Sequence, residues 1–232
     1  RRPRIAILST GDELVEIEET PGEGQIVNSN TTALAAFCRS HGAEPIMLPI
    51  ARDDEAAIRT TITSALKADF AVSSGGVSVG EYDFVKKVLD DLGAETIFWR
   101  VAMKPGKPLV FCTVDGIPYF GLPGNPVSSM MSFLQFVRPA IRKASGYPAA
   151  DWPLPEARAQ IEHPVDNDGG RRQYMRATLS YRDGLLFART AKSQGSHMIS
   201  SMIGANGFVV LEPKQQAAAG DTVAVQIVGP IF

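Results

Sequence analysis

Cysteine, histidine and long apolar runs are all scarce in this sequence, and each shortage removes a class of function. Of 232 residues, 2 are cysteine and 3 are histidine. Cys38 and Cys112 sit inside apolar stretches, with no CxxC spacing and no histidine nearby. Buried thiols in a reducing compartment are therefore expected, not a zinc site or a redox pair. Three histidines do not compose a Ser-His-Asp arrangement. His41 falls at a helix end, as a dipole partner or surface residue. His163 precedes a proline in a linker and is given no role, so only His197, in the polar run QGSHMISS, is of interest. No stretch approaches the ~20 apolar residues a membrane span needs. The 23 Lys and Arg against 25 Asp and Glu leave a net charge of −2, which argues against general nucleic-acid binding. The basic opening RRPR runs into an apolar stretch, but charges follow at once without a small-residue cleavage site, and a secretory leader is not expected. There is no internal repeat and no low-complexity tract. GSHM at 195–198 looks like a tag scar, but it lies deep between structured segments and reads as native.

Strand and helix patterns alternate up to about residue 147. RIAILS (4–9) reads as a strand and residues 30–42 as a helix with a polar cap and a terminal glycine. EPIMLPI is the next strand, residues 53–68 the next helix, and DFAVSS (69–74) a third strand. YDFVKKVLDDLG is a helix, ETIFWRVA (95–102) a strand, and 108–122 a hairpin turning on Asp115-Gly116. A long helix over 125–146 places Val127, Met130, Leu134, Val137 and Ile141 on one stripe, with Pro139 expected to kink or shorten it. This alternation predicts an α/β fold, a mostly parallel sheet covered by helices on both faces in three layers. YPAADWPLPEA (147–157) reads as a boundary. Short alternating runs beyond it predict a small all-β domain, giving domains 1–146 and 147–232.

In open α/β sheets, ligands bind beyond the carboxyl ends of the strands. The loops there carry STGDE with Asp12 and Glu13, ARDD with Asp53 and Asp54, and SSGGVSVGEYD with Glu81 and Asp83. MKPGKP, with Lys104 and Lys107, is expected at the same edge, as is GLPGNPVS. Singly, each has an ordinary explanation. Glycine after a strand makes turns, acids opening a helix cap it, and most lysines lie on surfaces. Asn125 suits an N-cap with Pro126 at N1, a geometry that also points free N–H groups at an anion. GK[ST] and GxGxxG are absent, which excludes a Walker loop and a dinucleotide fingerprint. Together, glycine turns, a helix N-terminus and lysines suit phosphate. Several carboxylates would repel it unless a hard cation such as Mg²⁺ intervenes. A phosphorylated ligand with Mg²⁺ is the inference.

STGDEL, RDD, SSGGVSVGEYD, KPGKP, GLPGNPVS, GRRQYMR and GSHMISSMIGANGFVVLE, in this order, resemble the MoeA family, the molybdopterin molybdenumtransferases that include the C-terminal domain of gephyrin. The resemblance covers nearly the whole chain. It implies a MogA-like molybdopterin-binding domain over 1–146 and a β-barrel-like domain over 147–232. It also implies insertion of molybdate into adenylylated molybdopterin, with hydrolysis of the pyrophosphate bond and release of AMP. On that resemblance Glu13, Asp53 and Asp83 hold Mg²⁺ or position water. Gly75, Gly76 and Ser78 cradle the pterin side, with Gly124 and Asn125 at the phosphate. Lys104, Lys107 and Ser128 bind molybdate or phosphate, joined by Arg172 and Ser200, for which Arg171, Arg176, Ser196 and Ser201 are alternatives. A homodimer in the cytoplasm is implied, with a MogA-type adenylyltransferase upstream and neither nucleic acid nor membrane as partner. Family members carry N-terminal regions before the part that begins here, so a fragment or a short relative is expected. The alternatives are a MogA-like adenylyltransferase and a catalytically inactive gephyrin-like scaffold.

Overall fold

The computed structural model describes residues 1–76 and 84–231. The chain divides into two units, one of Arg1–Val101 with Pro108–Trp152, the other of Ala102–Lys107 with Pro153–Phe232.

The first unit is built on a six-stranded sheet. Its strands are β1 (Arg4–Ser9), β4 (Glu44–Met47), β5 (Phe70–Ser74), β6 (Glu95–Trp99), β8 (Val110–Val114) and β9 (Ile117–Leu122). Two-residue strands β2 (Leu14–Val15) and β3 (Ile26–Val27) form a separate ladder. The order is β4-β1-β5-β9-β8-β6, with the first three pairings parallel and the last two antiparallel. The sheet is thus mostly parallel, as its sequence predicts. Every residue of β5 is buried, and five of the six in β1, the mark of a sheet covered on both faces. Helices α1 (Ser29–Ser40), α2 (Glu55–Ala65) and α3 (Phe84–Asp91) follow β3, β4 and β5. Ile58 and Ile62 of α2 and Val85, Val88 and Leu89 of α3 share a core with Ala6, Leu8 and Ala71. The alternate β1 side chains, Ile5 and Ile7, are buried on the other face.

The β8–β9 hairpin turns at Asp115 and Gly116, with φ of 49° and 77°, the left-handed pair a two-residue turn requires. The long C-terminal helix is interrupted, as its proline suggests. α4 (Pro126–Ser132) gives way to a π-helical turn at Phe133–Val137, and α5 (Arg138–Ala144) continues. Proline at 139 has no N–H to give and would crowd the carbonyl one turn back, and the wider turn absorbs both effects. The predicted stripe of Val127, Met130, Leu134, Val137 and Ile141 is buried throughout.

The second unit is a closed five-stranded barrel. Strands β10 (Glu156–Ile161), β12 (Arg172–Arg182), β13 (Leu185–Thr190), β14 (Gly207–Leu211) and β16 (Thr222–Ile227) pair in the cycle β13-β10-β16-β14-β12-β13. Short β11 (Val165–Asp166) and β15 (Gln216–Ala217) pair beside it. Alternate residues such as Ile161, Ala177, Leu179, Ala188, Val209 and Val225 fill the interior. His163 lies just past β10, inside this unit, where its Nε2 is 2.8 Å from Thr190 Oγ1.

Two segments depart from the expected division at residue 146: residues 147–152 stay with the first unit, and Ala102–Lys107 leaves it. Met103 and Lys104 form β7, which pairs in parallel with Arg172 and Gln173 of β12, and Ala102–Lys107 belongs to the barrel unit. ETIFWRVA is accordingly not one strand. β6 ends at Trp99, and Arg100 adopts φ 78° while its N–H donates to the Leu109 carbonyl at 2.7 Å. That left-handed residue turns the chain out of the sheet and frees 102–104 to extend along β12.

Candidate functional site

The parallel order places the carboxyl ends of β4, β1, β5 and β9 along one edge of the first unit. β1 has β4 on one side and β5 on the other, the kind of reversal that opens a crevice. A cleft of about 630 Å³ lies there, lined by residues that follow these strands and open α1 and α4.

The β1 loop is fastened to its neighbours. The Thr10 N–H donates to Ser74 O at 3.4 Å and the Gly11 N–H to Ala51 O at 3.2 Å. Asp12 and Asp53 exchange hydrogen bonds: the Asp12 N–H donates to Asp53 Oδ2 at 3.3 Å, and the Asp53 N–H to Asp12 Oδ1 at 3.1 Å. This exchange fixes the two acidic loops, and Glu13 and Asp53 both line the cleft with exposed carboxylates. Asp54 is used locally, capping α2 through the Ala57 N–H.

After β5, Gly75 and Gly76 line the cleft at φ 91° and 67°. A Cβ on Gly76 would fall 2.5 Å from Val85 Cγ2 and 2.7 Å from Thr10 Oγ1. Glycine there does more than turn the chain; it lets the backbone at Gly76 sit against Val85 of α3 and Thr10 of the β1 loop. After β9 come Gly124 and Asn125, and Ser128 follows one turn into α4; all three line the cleft. Asn125 is the N-cap of α4 with Pro126 behind it, yet its side chain makes no capping hydrogen bond. Its amide is therefore exposed at the cleft.

Asn30 is a residue the sequence reading passed over. Asn28, not Asn30, caps α1, accepting from the Thr31 N–H at 3.3 Å. Asn30 lies on the first turn and bridges two loops, its Nδ2 donating to Ser74 Oγ at 2.8 Å and to Gly124 O at 2.7 Å. Only the paired asparagines of NSN hinted at it, and the pattern does not say which one caps.

Two features define the chemistry. The cleft lining contains Glu13 and Asp53 but, among the described residues, no lysine, arginine or histidine. The main-chain N–H groups that open α1 and α4 are the donors it can offer an anion. Among the described residues no three His, Cys, Asp or Glu side chains converge to hold a metal. Two carboxylates nevertheless suit Mg²⁺, which is commonly held by one or two carboxylates together with substrate phosphates and water. Asp83 and Ser78 lie outside the described residues.

The remaining candidates belong to the second unit. Lys104 and Lys107 sit on and just after β7. Arg172 pairs with Glu212 at 2.5 Å, which holds its guanidinium above the ordinary value. Ser200 is exposed on a short helical turn, Ile199–Met202. Of the alternatives, Ser201 Oγ donates to Met198 O at 2.6 Å and Arg171 Nη1 to Met103 O at 3.2 Å. Arg176 is fully buried.

Residues 6–143 match the family of probable molybdopterin-binding domains, and residues 158–228 match the MoeA C-terminal region, domain IV. The chain belongs to the MoeA family. Among its relatives, a molybdopterin molybdenumtransferase of Nostoc sp. is 44% identical over 207 residues, covering 88% of this chain and 47% of that protein. The molybdopterin molybdenumtransferase of Haemophilus influenzae is 36% identical over 229 residues, covering 97% and 56%. Two crystal structures of MoeA from Pyrococcus horikoshii superpose with TM-scores of 0.82 and 0.78 at 30% and 25% identity. They cover 99% and 97% of this chain and 55% and 54% of theirs. This MoeA chain thus spans about half the length of the curated relatives it matches, and its mostly parallel sheet and five-stranded barrel are those of the MoeA fold.

Proposed function

We propose that this MoeA chain carries the site at which molybdate is inserted into adenylylated molybdopterin, with hydrolysis of the pyrophosphate bond and release of AMP. The observation that carries this reading is the cleft itself, at the carboxyl edge of the segment that matches the molybdopterin-binding family. It combines glycine turns, helix N-termini and two carboxylates with no basic side chain among its described lining. A phosphorylated ligand meeting Glu13 and Asp53 without a counter-charge would be repelled. Mg²⁺ held by Glu13 and Asp53, with Asp83 as the third candidate, would neutralise that repulsion and polarise the phosphate. The chain's own part is to bind and orient. The main chain at Gly75, Gly76 and Gly124 comes close to the ligand, the Asn125 amide and Ser128 hydroxyl donate to phosphate or molybdate, and Asp53 is held in place by Asp12.

Lys104, Lys107, Arg172 and Ser200 are proposed as oxyanion ligands on the second unit. Arg172 would have to share or exchange its Glu212 partner. The barrel's match to the MoeA C-terminal region favours molybdate insertion over adenylyl transfer. A homodimer in the cytoplasm, supplied by a MogA-type adenylyltransferase, completes the proposal. Among the described residues no helix is long and apolar enough to cross a membrane.

The test is Asp53→Asn in the full-length protein, since asparagine keeps an acceptor for the Asp12 N–H while losing the charge. Molybdate-dependent AMP release should fall at least about 100-fold, the upper end of what even an outer-shell partner of a metal costs, with the circular dichroism spectrum unchanged. Wild-type turnover would sink the assignment.

A further inference from the structure

Residues 191–206, which connect β13 to β14, form a strap fastened to β12 at both ends. At the far end Asn206 brackets Leu179, accepting from its N–H at 2.6 Å and donating to its carbonyl at 2.9 Å. At the near end Gln194 does the same to Arg176, accepting at 3.0 Å and donating at 3.1 Å. Each amide thereby pairs main-chain groups of β12, and the Arg176 carbonyl accepts in addition from the Ala191 N–H at 2.8 Å. Arg176 adds its own side chain, Nη2 donating to Ser193 O at 3.1 Å and Gly195 O at 3.2 Å. Between the anchors the strap makes short-range bonds, such as Met198 N–H to Gly195 O and Ser201 Oγ to Met198 O, and near its far end Thr178 Oγ1 of β12 donates to Gly204 O at 3.2 Å.

Arginine is an expensive choice at that position. The Arg176 side chain is 0% exposed, it has no ion pair among the described residues, and its Nε and Nη1 have no hydrogen-bond partner there. Burial pulls its pKa down. A buried cation without a counter-ion costs stability that an apolar side chain of similar volume would not. What an apolar residue cannot do is bridge two carbonyls, as Nη2 does here; a lysine ammonium also carries enough donors for both, so lysine keeps part of the clamp.

We infer that Arg176 is a positioning residue. With Gln194 it clamps the start of the strap and so fixes the serine-rich segment that carries Ser200. This inference rests on the molybdate reading above only for what the strap serves; the clamp itself rests on the hydrogen bonds.

The test compares Arg176→Met, Arg176→Lys and Gln194→Leu in the full-length protein by peptide-resolved amide hydrogen exchange over residues 192–203 and by molybdate-dependent AMP release. Exchange in that segment should be about tenfold faster in the Met and Leu variants, while exchange in β14 and β16 is unchanged. The KM for molybdate should rise about tenfold with kcat changed less than about twofold, and Arg176→Lys should recover part of both. If Arg176→Met does not fold, Gln194→Leu carries the test alone. Wild-type exchange in a folded Gln194→Leu overturns the clamp. Faster exchange with an unmoved KM in an active enzyme overturns the positioning role. A wild-type enzyme without molybdate-dependent turnover retires the functional reading instead, and the exchange comparison still decides whether the clamp exists.

Discussion

Replacing Gly76 by alanine should destabilise the first unit for two separable reasons, and a second glycine separates them. Gly76 holds φ 67°, and an L-residue in the left-handed region costs roughly 1–2 kcal/mol. Its new Cβ would also stand 2.5 Å from Val85 Cγ2 and 2.7 Å from Thr10 Oγ1. Val85 is 1% exposed and packed in the core with Ala6 and Ile58, so it has nowhere to retreat. Overpacking of this kind costs about 1–3 kcal/mol. The sum is about 2–5 kcal/mol, or a fall in Tm of roughly 2–4 °C for each kcal/mol in a chain of this size. Gly93 is the control, with φ 75° but no atom within 4 Å of an added Cβ. Gly93→Ala should therefore show the conformational cost alone. Urea denaturation of both variants isolates the packing contribution by difference. Equal destabilisation would refute the argument that the backbone at Gly76 is packed against Val85 and Thr10, and with it the reason offered for glycine at that place in the cleft.

Two further outcomes follow from the same unit. Asn30→Ala removes the donors to Ser74 Oγ and Gly124 O; at about 0.5–1.5 kcal/mol net for each bond, the urea midpoint should drop by about 1–3 kcal/mol of stability, and an unmoved midpoint would show that the bridge does not hold the two loops. His41 packs against Phe37 and Phe133, and burial, followed by the charges of Arg138 and Arg142, lowers its pKa from 6.5 to about 4. The folded state keeps this ring neutral while the unfolded state protonates it, so its contribution is fully present above pH 6.5 and is lost as pH falls from 6.5 to 4. His41→Phe should flatten the stability profile across that interval, since the other titrating groups cancel in the difference between the two proteins. An identical slope in both would contradict the assignment.

Much of this architecture is written in local patterns. The apolar runs of β1 and β5, the Asp-Gly turn and the five-residue stripe of the last helix each follow from one local pattern, and each lands where that pattern puts it. The run from 95 to 108 was not legible, because apolar residues on both sides of Arg100 look like one strand. Nothing in a single sequence says that an arginine will adopt a left-handed φ. Pairing with Arg172 and Gln173 is likewise a tertiary choice that no local propensity encodes. The site shows the same divide. The acids and glycines of the cleft were found because strand ends are predictable places for chemistry, and Gly75, Gly76, Gly124, Asn125 and Ser128 do line it together with Glu13 and Asp53. Asn30 and Arg176 were not singled out as loop-fixing residues, since bridging loops through side-chain hydrogen bonds leaves no periodic trace.

The interleaving of the two units constrains how this polypeptide can be cut or built. Met103 and Lys104 reach the barrel in the middle of the first unit's chain, between β6 and β8. A barrel expressed from Pro153 onward would leave the main-chain groups of Arg172 and Gln173 that face β7 unpaired, an open edge of the kind that recruits foreign strands. The first unit expressed to Trp152 would carry a hexapeptide with no ladder to join. During synthesis the ribosome delivers β7 well before β12 exists, so that pairing must wait for a distant segment, and long-range closures of this kind slow folding. Any dissection of the protein would therefore do better to move residues 102–107 with the barrel, through a permuted or grafted chain, than to divide the sequence at its proline-rich boundary.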